Sequence, residues 1–210
     1  MKNKIDFFLA WTESDELRKT AALLANSEVV NHLYVVTSAR DEEELDVADH
    51  VSVLHADNVT GTKFFRQVAS RAKADYVALY LKPQPLTLGY RCLERLCQAA
   101  EDAAAVMVYA DHYSIKNGER EMSPKIAYQE GSVRDDFDFG GLILMRTSAL
   151  KSFFELDKVG RYRYAAMYAL RLHLSRVGQL FHLNEYLYTE VESDLRKSGE
   201  KQFDYVNPKN

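Results

Sequence analysis

Ala74-Asp75-Tyr76-Val77-Ala78-Leu79-Tyr80-Leu81-Lys82-Pro83-Gln84-Pro85, with the segment Leu88 to Asp102 that follows it, decides the fold. Val77, Leu79 and Leu81 alternate with the period of a strand over Asp75 to Leu81. Lys82-Pro83-Gln84-Pro85 is a polar loop. Past it, Cys92, Leu93, Leu96, Cys97 and Ala100 fall on one stripe of an amphipathic helix. Ala104 to Tyr109 then reads as another strand. A strand, a loop, a helix and a second strand form the repeating unit of an α/β protein.

The same rhythm extends toward the N-terminus. Ile5 to Trp11 reads as a buried strand, Thr12 to Asn26 as a helix with a capping signal in Thr12 and Asp15, and His32 to Thr37 and Val51 to Ala56 as strands. Thr62 to Lys73 reads as a helix. Such alternation predicts a mostly parallel central sheet flanked by helices, with a ligand site at the carboxyl ends of the strands. Toward the C-terminus the pattern changes. Asp111 to Ile115 and Glu121 to Tyr128 flank Asn117-Gly118, whose residues supply the positive φ angles of a tight turn, so a β-hairpin is expected there. Phe139 to Met145 follows as a strand, Thr147 to Leu156 and Tyr162 to Val177 as helices, and Leu180 to Thr189 as a final strand. Tyr162, Tyr164 and Tyr168 are expected to pack the last helix. From Glu190 onward the chain reads as a charged, weakly periodic tail.

Composition narrows the function classes. The chain has 210 residues, enough for one domain, and 27 Lys and Arg against 31 Asp and Glu give a net charge of −4, which argues against a nucleic-acid partner. No apolar run approaches the ~20 residues that span a bilayer. Asp6 and Glu13 interrupt the stretch after the basic start, so no signal-peptide core is read, and the expected location is cytoplasmic or peripheral at the inner face of a membrane. The 2 cysteines, Cys92 and Cys97, lie in a helical pattern without zinc spacing and are expected to be packing residues. Tyrosine, at 13 residues, is frequent, which suits either a core or a sugar- or base-binding cleft. No glycine-rich dinucleotide or P-loop signature, zinc-protease helix, nucleophile elbow or paired-cysteine motif occurs.

The order of landmarks resembles glycosyltransferase family 2, of the GT-A fold. The strand at Ala74 to Tyr80 and the helix beginning near Leu88-Gly89 are similar to its nucleotide-binding half. Val108-Tyr109-Ala110-Asp111-His112 and then Phe137-Asp138-Phe139-Gly140-Gly141, leading into Leu142 to Leu150, look like its next two landmarks. Asn184-Glu185-Tyr186-Leu187-Tyr188, with Arg196-Lys197-Ser198 beyond, is similar to its last strand and basic loop. The likeness spans about residues 4 to 200. It implies a GT-A-like, Rossmann-like sheet that binds a nucleotide-diphosphate sugar and transfers the sugar to a hydroxyl of a glycan acceptor, in polysaccharide or cell-surface glycan synthesis.

That chemistry needs a carboxylate to take the acceptor proton and a cation to neutralise the diphosphate, for which the family uses Mn²⁺ or Mg²⁺ on an Asp-x-Asp loop. Here the matching loop is Leu81-Lys82-Pro83-Gln84-Pro85, with no acid. The usual base is also absent, Tyr164-Ala165 standing ahead of Tyr168-Ala169-Leu170-Arg171-Leu172. The candidate catalytic residues are Asp111, Asp135, Asp136 and Asp138, with Asp111 also a candidate metal ligand. The candidate nucleotide-sugar contacts are Trp11, Thr12, Thr37, Asp41, Lys82, Arg196 and Lys197. Residues 1–200 are expected to form the domain and 201–210 a polar tail or linker to a further domain. The competing expectation is a catalytically inactive GT-A-like module that binds glycan or a partner domain.

Overall fold

A computed structural model describes residues 4–12, 14–38, 49–131, 137–156 and 159–191. Strands β1 (Ile5–Ala10), β2 (Val30–Thr37), β3 (Val51–His55) and β4 (Tyr76–Tyr80) run parallel in the order β3-β2-β1-β4. Helices α1 (Asp15–Ala25) and α2 (Thr62–Arg71) make the crossovers, while α3 (Cys92–Asp102) lies further along the chain. The sheet continues through β8 (Leu142–Arg146), β6 (Met107–Lys116), β9 (Leu180–Val191) and β5 (Leu86–Leu88), with β7 (Glu119–Ser123) hairpinned onto β6. Strand β8 is antiparallel to both β4 and β6, whereas β6 and β9 are parallel. The parallel block predicted from the sequence is thus one half of a mixed sheet.

Alternation along the strands divides the core into two layers. Phe7, Leu9, Ala78 and Tyr80 face one side, where α1 and α3 bring Leu17, Leu24, Leu93 and Leu96. Phe8, Val77 and Leu79 face the other, covered by Phe64 and Phe65 of α2, and by α4 (Thr147–Phe154) and α5 (Ala166–Val177) through Leu150, Phe153 and Leu170. Residues on adjacent strand positions point to opposite faces, so each strand of the parallel block must be apolar on both. Cys92 and Cys97 are free and buried, and burial pushes their thiols up to about 12, so they are packing residues.

Several boundaries differ from the sequence expectation for local reasons. Helix α1 begins at Asp15 because Ser14 is the residue that caps it, its Oγ accepting from the Leu17 amide at 3.1 Å. Helix α3 begins at Cys92, after Arg91 adopts a left-handed φ of 51°, and Leu86–Leu88 ahead of it pairs with β9 as a short strand. The strands read separately at Ala104 to Tyr109 and Asp111 to Ile115 are one continuous β6, turning at Asn117-Gly118 into the shorter β7. Helix α5 starts at Ala166, not Tyr162, because the preceding backbone is tied to the start of α2. Thr62 Oγ1 donates to Gly160 O at 2.9 Å, the Thr62 amide donates to Tyr162 O at 2.9 Å, and the Tyr162 amide donates back to Thr62 Oγ1 at 2.9 Å. Tyr162 and Tyr164 are therefore exposed and precede the helix, and only Tyr168 packs within it.

Candidate functional site

In-register pairing of β1 with β2 and β4 brings three strand ends to one edge of the sheet. Trp11 and Thr12 follow β1, Thr37 ends β2, and Lys82 follows β4. Trp11 is partly buried against the core and its amide donates to Val36 O at 2.7 Å. Thr12 is exposed, and its Oγ1 donates to Pro83 O at 3.1 Å, joining the end of β1 to the Lys82 loop. Because Leu142 pairs with Tyr80, the segment Asp138 to Gly141 enters β8 at this same edge. Parallel pairing of β6 and β9 adds Asp111, His112, Ser114 and Glu190 beyond it. Asp41, Asp135, Asp136, Arg196, Lys197 and the 201–210 tail lie outside the described residues.

Glu190 is the centre of this edge. It is 5% exposed, and its Oε1 accepts from Lys82 Nζ at 2.5 Å and faces His112 Nε2 at 3.2 Å. Burial raises the carboxyl pKa, but the His112 hydrogen bond and the Lys82 charge outweigh it and hold the group below its usual range. His112 Nδ1, on the other side of the ring, is buried without a hydrogen-bond partner. His112 stacks on Tyr188 with centroids 4.8 Å apart. The Tyr188 hydroxyl accepts from the amides of Gly141 at 3.0 Å and Leu142 at 3.3 Å, and burial pushes its pKa up, so it remains a neutral phenol.

Gly140 and Gly141 are required by this packing. Gly140 has φ 77°, and a Cβ on it would collide with the Tyr188 hydroxyl. A Cβ on Gly141 would collide with Glu190 Oε2 and come within 3.0 Å of the Tyr80 ring and 3.2 Å of Lys82 Cδ. Glycine here lets the backbone lie directly over a buried ion pair.

The two described candidate acids occupy different environments. Asp111 is 1% exposed in the interior of β6, where Oδ1 accepts from the Lys125 amide at 2.7 Å and pairs with His182 Nε2 at 2.7 Å. It stands immediately before the β6–β7 pairing, which starts at His112 and Ser123. Asp138 is exposed, its Oδ2 accepts from Lys125 Nζ at 2.5 Å and its Oδ1 from the Gly140 amide at 2.8 Å. Although its side chain is open to solvent, the protein packed around it works against its charge, and the Lys125 and Gly140 bonds with the Lys82 charge keep it below its usual pKa. Behind it, Arg171 lies over the Phe139 ring at 4.7 Å, and burial draws its guanidinium down to about 10.

These residues do not fit a divalent cation. Such an ion requires a convergent set of oxygen ligands. The 81–85 loop carries no acid, Glu190 instead holds the Lys82 ammonium, and Asp111 is turned to His182. Among the described residues no three His, Cys, Asp or Glu side chains are disposed around one point.

Glu190, Lys125, His182 and Tyr188 were missed by the sequence reading. The signal for Glu190 was its two-residue spacing from Tyr188, which places both on one face if the strand extends past Thr189, as β9 does. A cavity of about 540 Å³ at the opposite edge is lined by Lys4, Asp75, Arg146 and Lys151. Its cations are engaged in structure. Lys4 pairs with Asp75 at 2.7 Å, Lys151 donates to Ala72 O at 2.8 Å, and Arg146 donates to Ala105 O at 2.9 Å.

No protein-family model and no curated protein matches the sequence. Solved structures do match the fold. The crystal structure of S. aureus TarS residues 1–349 is 12% identical with a TM-score of 0.61, covering 90% of this chain and 60% of that one. The same piece in complex with UDP-GlcNAc is 10% identical with a TM-score of 0.61, covering 91% and 59%. S. aureus TarS is 12% identical with a TM-score of 0.62, covering 90% and 37%. The chain thus spans about 60% of the length of the first of these structures. No helix among the described residues is long and apolar enough to cross a membrane. The fold is GT-A-like.

Proposed function

We propose that the carboxyl edge of the sheet binds a nucleotide-diphosphate sugar and that the chain transfers the sugar to a glycan hydroxyl in polysaccharide or cell-surface glycan synthesis. The observation that carries this reading is convergence. Trp11 and Thr12, Thr37, Lys82 and the Gly140-Gly141 turn, which come from separate parts of the sequence, meet at the edge where open α/β sheets bind ligands. TarS, which has a similar fold, has been crystallised with UDP-GlcNAc.

On this reading the base lies against Trp11 and the diphosphate beside Lys82. The acceptor oxygen bonds to the anomeric carbon as the bond from that carbon to the diphosphate oxygen breaks. The electron pair leaves with the diphosphate. The acceptor's proton passes to a carboxylate, for which Asp138 is suited because it is exposed at this edge and held ionised by Lys125 and Gly140. Asp111, enclosed and committed to His182, is the supporting acid of the β6–β9 pair.

Incubation with a panel of UDP and GDP sugars, with released nucleotide measured, tests the proposal. Turnover that Asp138→Asn lowers by about a hundredfold or more, with UDP binding retained, is the expected result. Absence of both binding and turnover would leave the second reading, a GT-A-like module that binds glycan or a partner domain. The acid-free 81–85 loop favours that reading.

A further inference from the structure

The mismatch between this edge and a divalent cation has a specific form. The carboxylate that reaches the 81–85 loop comes from the far strand, β9, and it holds a cation carried by the protein itself. We propose that the Lys82 ammonium, anchored by Glu190, is the cation that receives the diphosphate of a nucleoside-diphosphate donor, making donor binding independent of divalent metal. The proposal rests on the reading of the carboxyl edge as the donor site.

Three features support it. The first is position, since Lys82 follows β4 beside Thr12, with Thr12 Oγ1 bonded to Pro83 O of the same loop at 3.1 Å. The second is anchoring. The Glu190 side chain is only 6% exposed and lies between Lys82 and His112, so the carboxylate that fixes the ammonium is itself fixed. Removing Lys82 would leave a buried carboxylate without its cation, which keeps the ammonium at this place. The third is access. An ammonium has three donors, one is given to Glu190 Oε1, and the Lys82 side chain is 45% exposed. The head group can therefore donate to phosphate oxygens without leaving its anchor. Gly141 leaves the space that the pair occupies, since a Cβ there would meet Glu190, Tyr80 and Lys82 together.

Glu190 Oε1 is already shared by Lys82 and His112, so a metal ion arriving at that oxygen would compete with the protein's own cation. Glu190 acts through Lys82 as a positioning residue: it restricts a long, flexible side chain before the donor arrives, so less rotamer freedom remains to be lost on binding.

Calorimetric titration of the full chain with UDP and GDP, in EDTA and again in Mn²⁺, tests this. The expected result is saturable binding in EDTA that Mn²⁺ changes by less than about twofold. The Lys82→Met and Glu190→Gln double variant removes both charges together, so no buried ion is left unpaired and folding is retained, as circular dichroism would verify. It is expected to bind about tenfold or more weakly, without rescue by Mn²⁺. Glu190→Gln alone is expected to weaken binding by about threefold, and to add nothing in the Lys82→Met background, which a purely structural role would not produce. Binding that requires Mn²⁺, or that the double variant leaves unchanged, overturns the tethered cation while the donor-site reading stands. No binding of either nucleotide in either buffer overturns both.

Discussion

At the scale of residues, the edge is organised by one buried carboxylate. Glu190 is paired to Lys82 and His112, and its pKa lies below the ordinary 4.5. Between the folded value and 4.5 the unfolded chain binds more protons than the folded one, so stability rises with pH in that window. The contribution of the pair is fully present above about 4.5 and is lost as the pH falls through the folded value. Urea midpoints measured from neutral pH downward are therefore expected to fall more steeply for the native chain than for Glu190→Gln. Equal slopes would remove Glu190 from the acid-labile groups. Much of this network was hidden in the sequence for a physical reason. A carboxylate two residues past Tyr188 looks like the start of a solvated tail until the strand is known to run to Val191. Asp138 and Lys82 were legible because they sit beside Gly140-Gly141 and a proline-bounded loop, features that mark turns without any tertiary knowledge.

At the scale of elements, the strands of the parallel block were read closely, while helix starts were not. Apolar runs such as Phe7 to Ala10 and Tyr76 to Tyr80 are buried on both faces, so their type follows from composition and the limits of their strands were read to within a residue. Helix starts depend on which of several polar residues turns its side chain to the backbone. In Thr12-Glu13-Ser14-Asp15 it is Ser14 that caps, while Thr12 bonds to the Lys82 loop. Ser14→Ala is expected to cost about 1 kcal/mol, read as a lowered urea midpoint. A Thr12→Ala substitution, which leaves that cap intact, is expected to cost less. The late start of α5 has a similar origin. Thr62 captures the backbone at Gly160 and Tyr162, so the stretch between them follows the start of α2 and not its own helical preference. No periodicity in the Tyr162 to Tyr168 segment signals a hydrogen bond made about a hundred residues away.

At the scale of the molecule, four parallel strands and a mixed extension form one sheet whose carboxyl edge gathers polar groups, while both faces are closed by helices. The order of elements indicated the parallel half, and the expectation of a ligand site at its carboxyl edge needed only that half. The antiparallel joining of β4 to β6 through β8 is not written in local propensity. It does the decisive work, because it carries Gly140-Gly141 over the ion pair and places β9 where Glu190 can reach the Lys82 loop. The central claim is that this edge, and not the cavity beside Lys4 and Arg146, takes the nucleotide sugar. Amide chemical shifts recorded during titration with UDP-GlcNAc test it most directly. The account predicts saturable shifts at Thr12, Lys82, Gly140 and Gly141 with those of Lys4, Arg146 and Lys151 unmoved; saturable shifts confined to the latter group, or none at either edge, would contradict it.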